Sequence, residues 1–206
     1  MPDPDTRPSA RQVELLEAAY RYVLEHGLGE LSLRPLASAI GSSPRVLLYL
    51  FGSKDGLVRA LLARARAEEL ELLELLGRTN AADRPTAGDA TDLVMVAGQL
   101  WSWLAAAEHR ALLTLWVEGY ARSLVNPDGP WAGFARATIE DWLALLATTQ
   151  PAAVRDTAEG QAERTVVLAV LRGALLDLLA TGDLERTAHA VHQQLRTLDR
   201  IDRSPR

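Results

Sequence analysis

The chain has 206 residues, of which 48% are hydrophobic, with a formal charge of −5 and no cysteine. That length and apolar content can build one large or two small domains around a real core. The missing cysteines exclude thiolate-held zinc, thiol catalysis and a disulfide framework. No apolar run approaches the roughly 18–20 residues that span a bilayer, and the polar, Pro-containing opening MPDPDTRPSA is unlike a signal peptide. A cytoplasmic protein with no membrane partner is expected. The charge is uneven: residues 1–60 hold seven Lys/Arg and seven Asp/Glu, whereas the remainder holds fifteen against twenty. A neutral N-terminal part can still present a local basic face, but its long-range pull on a polyanion is modest.

The pattern is helical throughout, with no alternation long enough for a strand. Residues 11–26 place Val13, Leu16, Tyr20, Val23 and Leu24 at helical spacing, between Ser9 as N-cap and Gly27 as stop. A short helix follows over Leu33–Ile40, capped by Ser32, with Leu33, Leu36, Ala37 and Ile40 inward and Pro35 tolerated in its first turn. Gly41 ends it. Ser43 then caps a third helix that starts at Pro44 and buries Leu47, Leu50 and Phe51. Ser53 caps a long fourth helix reaching about Leu76, and Gly77–Asp89 reads as a polar loop. Further helices are expected over about 90–107, 109–124, 131–149, 160–180 and 184–199, which makes about nine. They are broken at Asn126-Pro127-Asp128-Gly129-Pro130, at Pro151 and at Thr181-Gly182-Asp183, and the tail from Ile201 should fray.

Two short helices joined at Gly41-Ser42-Ser43, with another behind them, form a helix-turn-helix. Such a unit must keep one face of its second helix in the core and turn the other to the DNA major groove. With Leu47 inward, Arg45, Leu48 and Tyr49 are left outward. Arg45 can fork onto guanine O6 and N7, Tyr49 can reach a phosphate, and Ser43 stands at a helix N-terminus that favours an anion. Arg34, Arg45 and Lys54 are also readable as ordinary solvated charges, and Tyr49 as packing on the first helix.

The run from Leu31 to Ala37, and on through Gly41-Ser42-Ser43-Pro44-Arg45-Val46-Leu47-Leu48-Tyr49-Leu50-Phe51-Gly52-Ser53-Lys54-Asp55-Gly56-Leu57, resembles the head of the tetracycline-repressor-like (TetR) regulators. It covers about a quarter of the chain. The resemblance implies an all-α fold: a three-helix head (residues 1–54) and a helical effector-binding and dimerising body (55–206). It implies a repressor that leaves its operator when a small molecule binds. It also assigns the DNA face: Ser32 to phosphate, Arg34 to a base, Ser43, Pro44, Arg45 and Val46 to the base-reading end, and Lys54 to phosphate. Where Leu48 stands the family usually has Tyr, and where Leu50 stands, His or Tyr. The tyrosine–phosphate contact therefore passes to Tyr49 on this reading.

In the body, Val166–Leu171 is apolar on every side, and a helix buried all round in so short a chain points to a second subunit. Ala162, Ala169 and Gly173 form a small-residue stripe. Leu184, Ala188, Val191, Leu195 and Leu198 repeat at 4-3-4-3 spacing like a coiled-coil seam. A four-helix dimer interface through Val166, Val170, Gly173, Leu184, Ala188, Val191 and Leu195 is expected, with a fully intramolecular core as the other reading. Such a dimer sets its heads about 34–36 Å apart, which calls for a near-palindromic site.

All five tryptophans lie between 101 and 142. His109, Trp116 and Tyr120 are the candidates to line an effector pocket, against the plainer reading of a core filled by large rings. Glu185, His189 and His192 share a helix face, but a solvated face explains them better than a metal. No phosphate loop, H-E-x-x-H motif or Ser-His-Asp order is present. No catalytic residue, metal or cofactor is expected. A helical protein-interaction module without DNA binding is the main alternative, and a helical enzyme or metal-binding protein a weaker one.

Overall fold

A computed structural model describes residues 8–29, 31–82 and 91–202, with the side chains of 72–82, 91–92 and 199–202 set aside. Among the described residues the fold is all-α. Its helices are α1 (Ala10–His26), α2 (Leu33–Ala39), α3 (Pro44–Phe51), α4 (Lys54–Ala82), α5 (Thr91–Leu104), α6 (Arg110–Val125), α7 (Phe134–Thr148), α8 (Ala152–Arg155), α9 (Ala158–Thr181) and α10 (Leu184–Asp202), with one 3₁₀ turn at Ala107–His109. The expected order holds, with two differences. The one-turn α8 follows Pro151, where only a break was expected. Helix α4 also runs on through Gly77 to Ala82, because one glycine costs a helix only about 1 kcal/mol. The rest of the expected Gly77–Asp89 loop, the N-terminal segment 1–7 and the tail beyond Asp202 lie outside the described residues.

Caps fix the starts of the head helices. Ser9 Oγ accepts from Gln12 N, Ser43 Oγ from Val46 N and Ser53 Oγ from Gly56 N. Ser32 occupies the N-cap position of α2, but its side chain makes no capping bond. The α2–α3 turn depends on Gly41, whose φ of 64° is one that a side chain disfavours.

The chain divides into two compact units. The first holds the described residues up to Ala67 together with Thr114–Ala135. Its core joins Leu15, Ala19, Tyr20 and Val23 of α1 to Leu36, Ala37, Leu47, Leu57, Leu61 and Trp116. The buried stripe of α1 thus follows Leu15/Ala19/Tyr20/Val23. Val13, expected inside, is exposed, because the stripe that meets α2 and α4 is rotated from the one drawn by periodicity. Leu50 and Phe51 are only half-buried, leaving Leu47 as the inward anchor of α3. Arg64 ties α4 to α1, its Nε 2.7 Å from Glu17 Oε1 and its guanidinium 5.0 Å from the Tyr20 ring centre.

The second unit holds the described residues of Glu68–Leu113 and those from Arg136 onward. Helix α10 packs on α9 and α5. Buried here are Leu100, Trp101, Trp142, Leu146, Val167, Leu171, Val191 and Leu195. Glu69 is fully buried, and its carboxylate accepts from Trp142 Nε1 and, at 3.5 Å, from Thr138 Oγ1. At the α9–α10 corner Arg186 grips both carboxylate oxygens of Asp177, at 2.6 and 2.8 Å.

Candidate nucleic-acid interface

Three short stretches converge on one side of the first unit: the end of the α1–α2 loop with α2, the start of α3, and the start of α4. Gly29, Leu31, Ser32, Leu33, Arg34, Pro44 and Lys54 line a single open concavity of about 640 Å³. Four of the eight residues assigned to DNA, Ser32, Arg34, Pro44 and Lys54, are therefore neighbours although 22 positions separate the first from the last. Ser43, Arg45, Val46 and Tyr49 are exposed on α3 and its cap.

The local chemistry suits a polyanion. Helices α2 and α3 contain two arginines and no carboxylate. Among the described residues nothing forms an ion pair with Arg34, Arg45 or Lys54. The uncommitted Ser32 hydroxyl is free to donate to a phosphate, and Ser43, although its oxygen accepts from Val46 N, keeps its own O–H. The recognition face is held from behind by Gln12, whose Nε2 donates to the Leu50 carbonyl at 3.1 Å. Sequence reasoning missed a second support. Glu118 on α6 accepts from the Leu28 backbone N–H at 2.9 Å and from Arg122 Nε at 3.1 Å. Arg122 in turn lies 5.2 Å from the centre of the Trp131 ring. Glu118 thereby pins the loop that leads into Ser32 and Arg34. A contact across 90 positions leaves no mark in local periodicity.

The family model described as "Bacterial regulatory proteins, tetR family" matches residues 15–61, which contain this whole face. Over these residues the chain is similar to the TetR-family regulators. Solved structures share the fold over nearly the full length. A transcriptional regulator from Rhodococcus sp. RHA1 is 21% identical, with a TM-score of 0.67, covering 94% of this chain and 99% of its own. A TetR regulator from Haloarcula marismortui is 18% identical, with a TM-score of 0.65, covering 93% and 97%. The multidrug binding protein EbrR, complexed with proflavin, is 26% identical, with a TM-score of 0.58, covering 90% and 99%. No curated protein matches the chain in sequence.

Trp116 is buried and Tyr120 half-buried one turn further along α6 in the first unit. His109 belongs to the second unit, where it stacks on Trp103 with ring centres 4.0 Å apart and bonds the Trp103 carbonyl through Nδ1. Of the dimer candidates, Val166, Gly173 and Leu184 are exposed, and Val170 and Ala188 are half-buried. Val191 and Leu195 are buried at 0% and 4% exposure. Val191 and Leu195 are thus spent in the chain's own core, which takes these two out of the expected interface. Glu185, His189 and His192 are exposed on α10, and no metal-holding cluster occurs among the described residues. No described helix is long and apolar enough to cross a membrane.

Proposed function

We propose that the chain is a homodimeric repressor of a near-palindromic operator, released by a small-molecule effector. Residues 1–54 read DNA and 55–206 bind the effector and dimerise. The observation that carries this reading is the convergence of Ser32, Arg34, Pro44 and Lys54 on one concavity beside an outward, carboxylate-free α3. Phosphate contacts there set the register, and α3 supplies the base contacts.

The dimer reading is supported by α9. Val166, Ala169, Gly173, Leu176 and Ala180 are all exposed at 3-4 spacing, an apolar strip that a free subunit would show to water. A Cβ placed on Gly173 meets nothing within 4 Å, so the strip has room for a closely approaching partner helix. The interface keeps Val166 and Gly173 of this strip, with Val170, Leu184 and Ala188 as its further candidates. An effector-bound state with altered head spacing would shift the population away from the DNA-fitting one. His109, Trp116 and Tyr120 remain the aromatic candidates for effector contact. Proflavin, held by EbrR, is a sensible first probe.

The test is a mobility-shift titration with DNA flanking the chain's own gene, at several salt concentrations, on protein whose mass is measured in solution. A salt-sensitive shift by a dimer is expected. A monomer, or no shift on any flanking promoter, overturns the reading. Gly173→Glu should yield a folded monomer with much weaker operator binding, because it adds a charge only where a partner would be.

A further inference from the structure

Helix α3 exposes an unusual amount of apolar surface. Val46, Leu48 and Tyr49 are 38%, 41% and 86% exposed, all within four residues. Arg45 and Tyr49 stand opposite the buried Leu47 and four apart, so they form one outward ridge, and Val46 and Leu48 flank it on either side. Of the eight residues of α3, only Arg45 and Tyr49 carry a polar side-chain atom.

This composition limits what α3 can read. Base edges in the major groove offer hydrogen-bond donors and acceptors, plus one apolar group, the thymine C5-methyl. Arg45 can satisfy a guanine. Val46 and Leu48 cannot hydrogen-bond to any base, and beside a cytosine N4 or an adenine N6 they would strip water from a donor and return nothing. Beside a thymine methyl they bury apolar surface on both sides. The rim of Arg34, Arg45 and Lys54, without a carboxylate on α2 or α3, favours a polyanion over an apolar protein surface as the occupant.

We infer that each operator half-site presents a guanine to Arg45 with thymine beside it, and that Val46 and Leu48 recognise the thymine methyl groups. This rests on the DNA-binding reading above and specifies its sequence preference.

The experiment is binding-site selection from a random duplex library with the full-length protein. Each thymine of the selected site is then replaced singly by deoxyuridine, which lacks only the methyl. Affinity is measured by fluorescence anisotropy. At one or two positions per half-site, loss of the methyl should weaken binding about three- to five-fold. Val46→Ala or Leu48→Ala should erase the penalty at its own position and leave the others, as a double-mutant cycle reads out. Both residues are surface-exposed, so the variants should fold, and their melting temperatures check this. Arg45→Ala should relax preference at the guanine alone. Deoxyuridine that is silent at every position, in a site the protein still binds, overturns the inference and leaves the DNA-binding reading standing. Failure to enrich any DNA sequence overturns both.

Discussion

Glu118→Ala removes the pin between α6 and the α1–α2 loop. Leu28 is 3% exposed, and its N–H donates to Glu118 Oε2 at 2.9 Å. Deleting the carboxylate leaves that buried donor without its acceptor, which costs about 1–3 kcal/mol. The Arg122 contact is worth less, under about 1 kcal/mol, because the Arg122 and Glu118 side chains are 42% and 22% exposed. A local loss of about 2 kcal/mol corresponds to a roughly thirty-fold change in the opening equilibrium. Hydrogen exchange at Leu28, Gly29 and Leu31 should therefore speed up by about that factor, with α9 unaffected. Glu118→Gln keeps an oxygen for Leu28 N–H and should show a much smaller change. Operator affinity should fall in the same order, since this loop leads into Ser32 and Arg34. Exchange at Leu28, Gly29 and Leu31 that stays within threefold of the parent in Glu118→Ala would refute the reasoning.

Gly56→Ala should destabilise the protein despite alanine's better helix propensity. The new Cβ would lie 2.0 Å from the Phe51 carbonyl oxygen, a backbone atom that cannot step aside. Overpacking costs of about 1–3 kcal/mol outweigh a propensity gain of about 1 kcal/mol, and the drop should register in thermal melts. Lys54→Ala should weaken binding to all DNA sequences alike and reduce the magnitude of the salt slope by about one, measured across a salt series. At the α9–α10 corner, hydrogen bonding to Arg186 holds the Asp177 carboxyl below the ordinary carboxylate range. The folded value lies below the unfolded one, so this contribution is complete above about pH 3.9 and fades as pH falls through the lowered value. Arg186→Ala should thus lower the melting temperature near neutrality, and the difference from the parent should vanish in acid.

Local chemistry is enough to write down the candidate DNA face. Ser43 before Pro44, Gly41 in the turn, and Leu47 against Arg45 and Tyr49 are decided within a few positions by capping, φ and helical periodicity. The sequence therefore determined the helix order, the helix-turn-helix and its outward side chains. Periodicity says that a stripe is buried, not what covers it. The 4-3 repeat of α10 is as compatible with a partner as with α9 and α5, and packing assigned Val191 and Leu195 to the chain's own core. The same indifference left Val13 outside, and it took the structure to show which residues of α9 stay open. Only the tertiary structure joined Ser32 to Lys54 around one concavity, placed Glu69 under Trp142, and put Glu118 against an amide 90 positions away. Such contacts arise when separate helices meet, and a hydrogen bond across that distance has no local period by which a sequence could announce it.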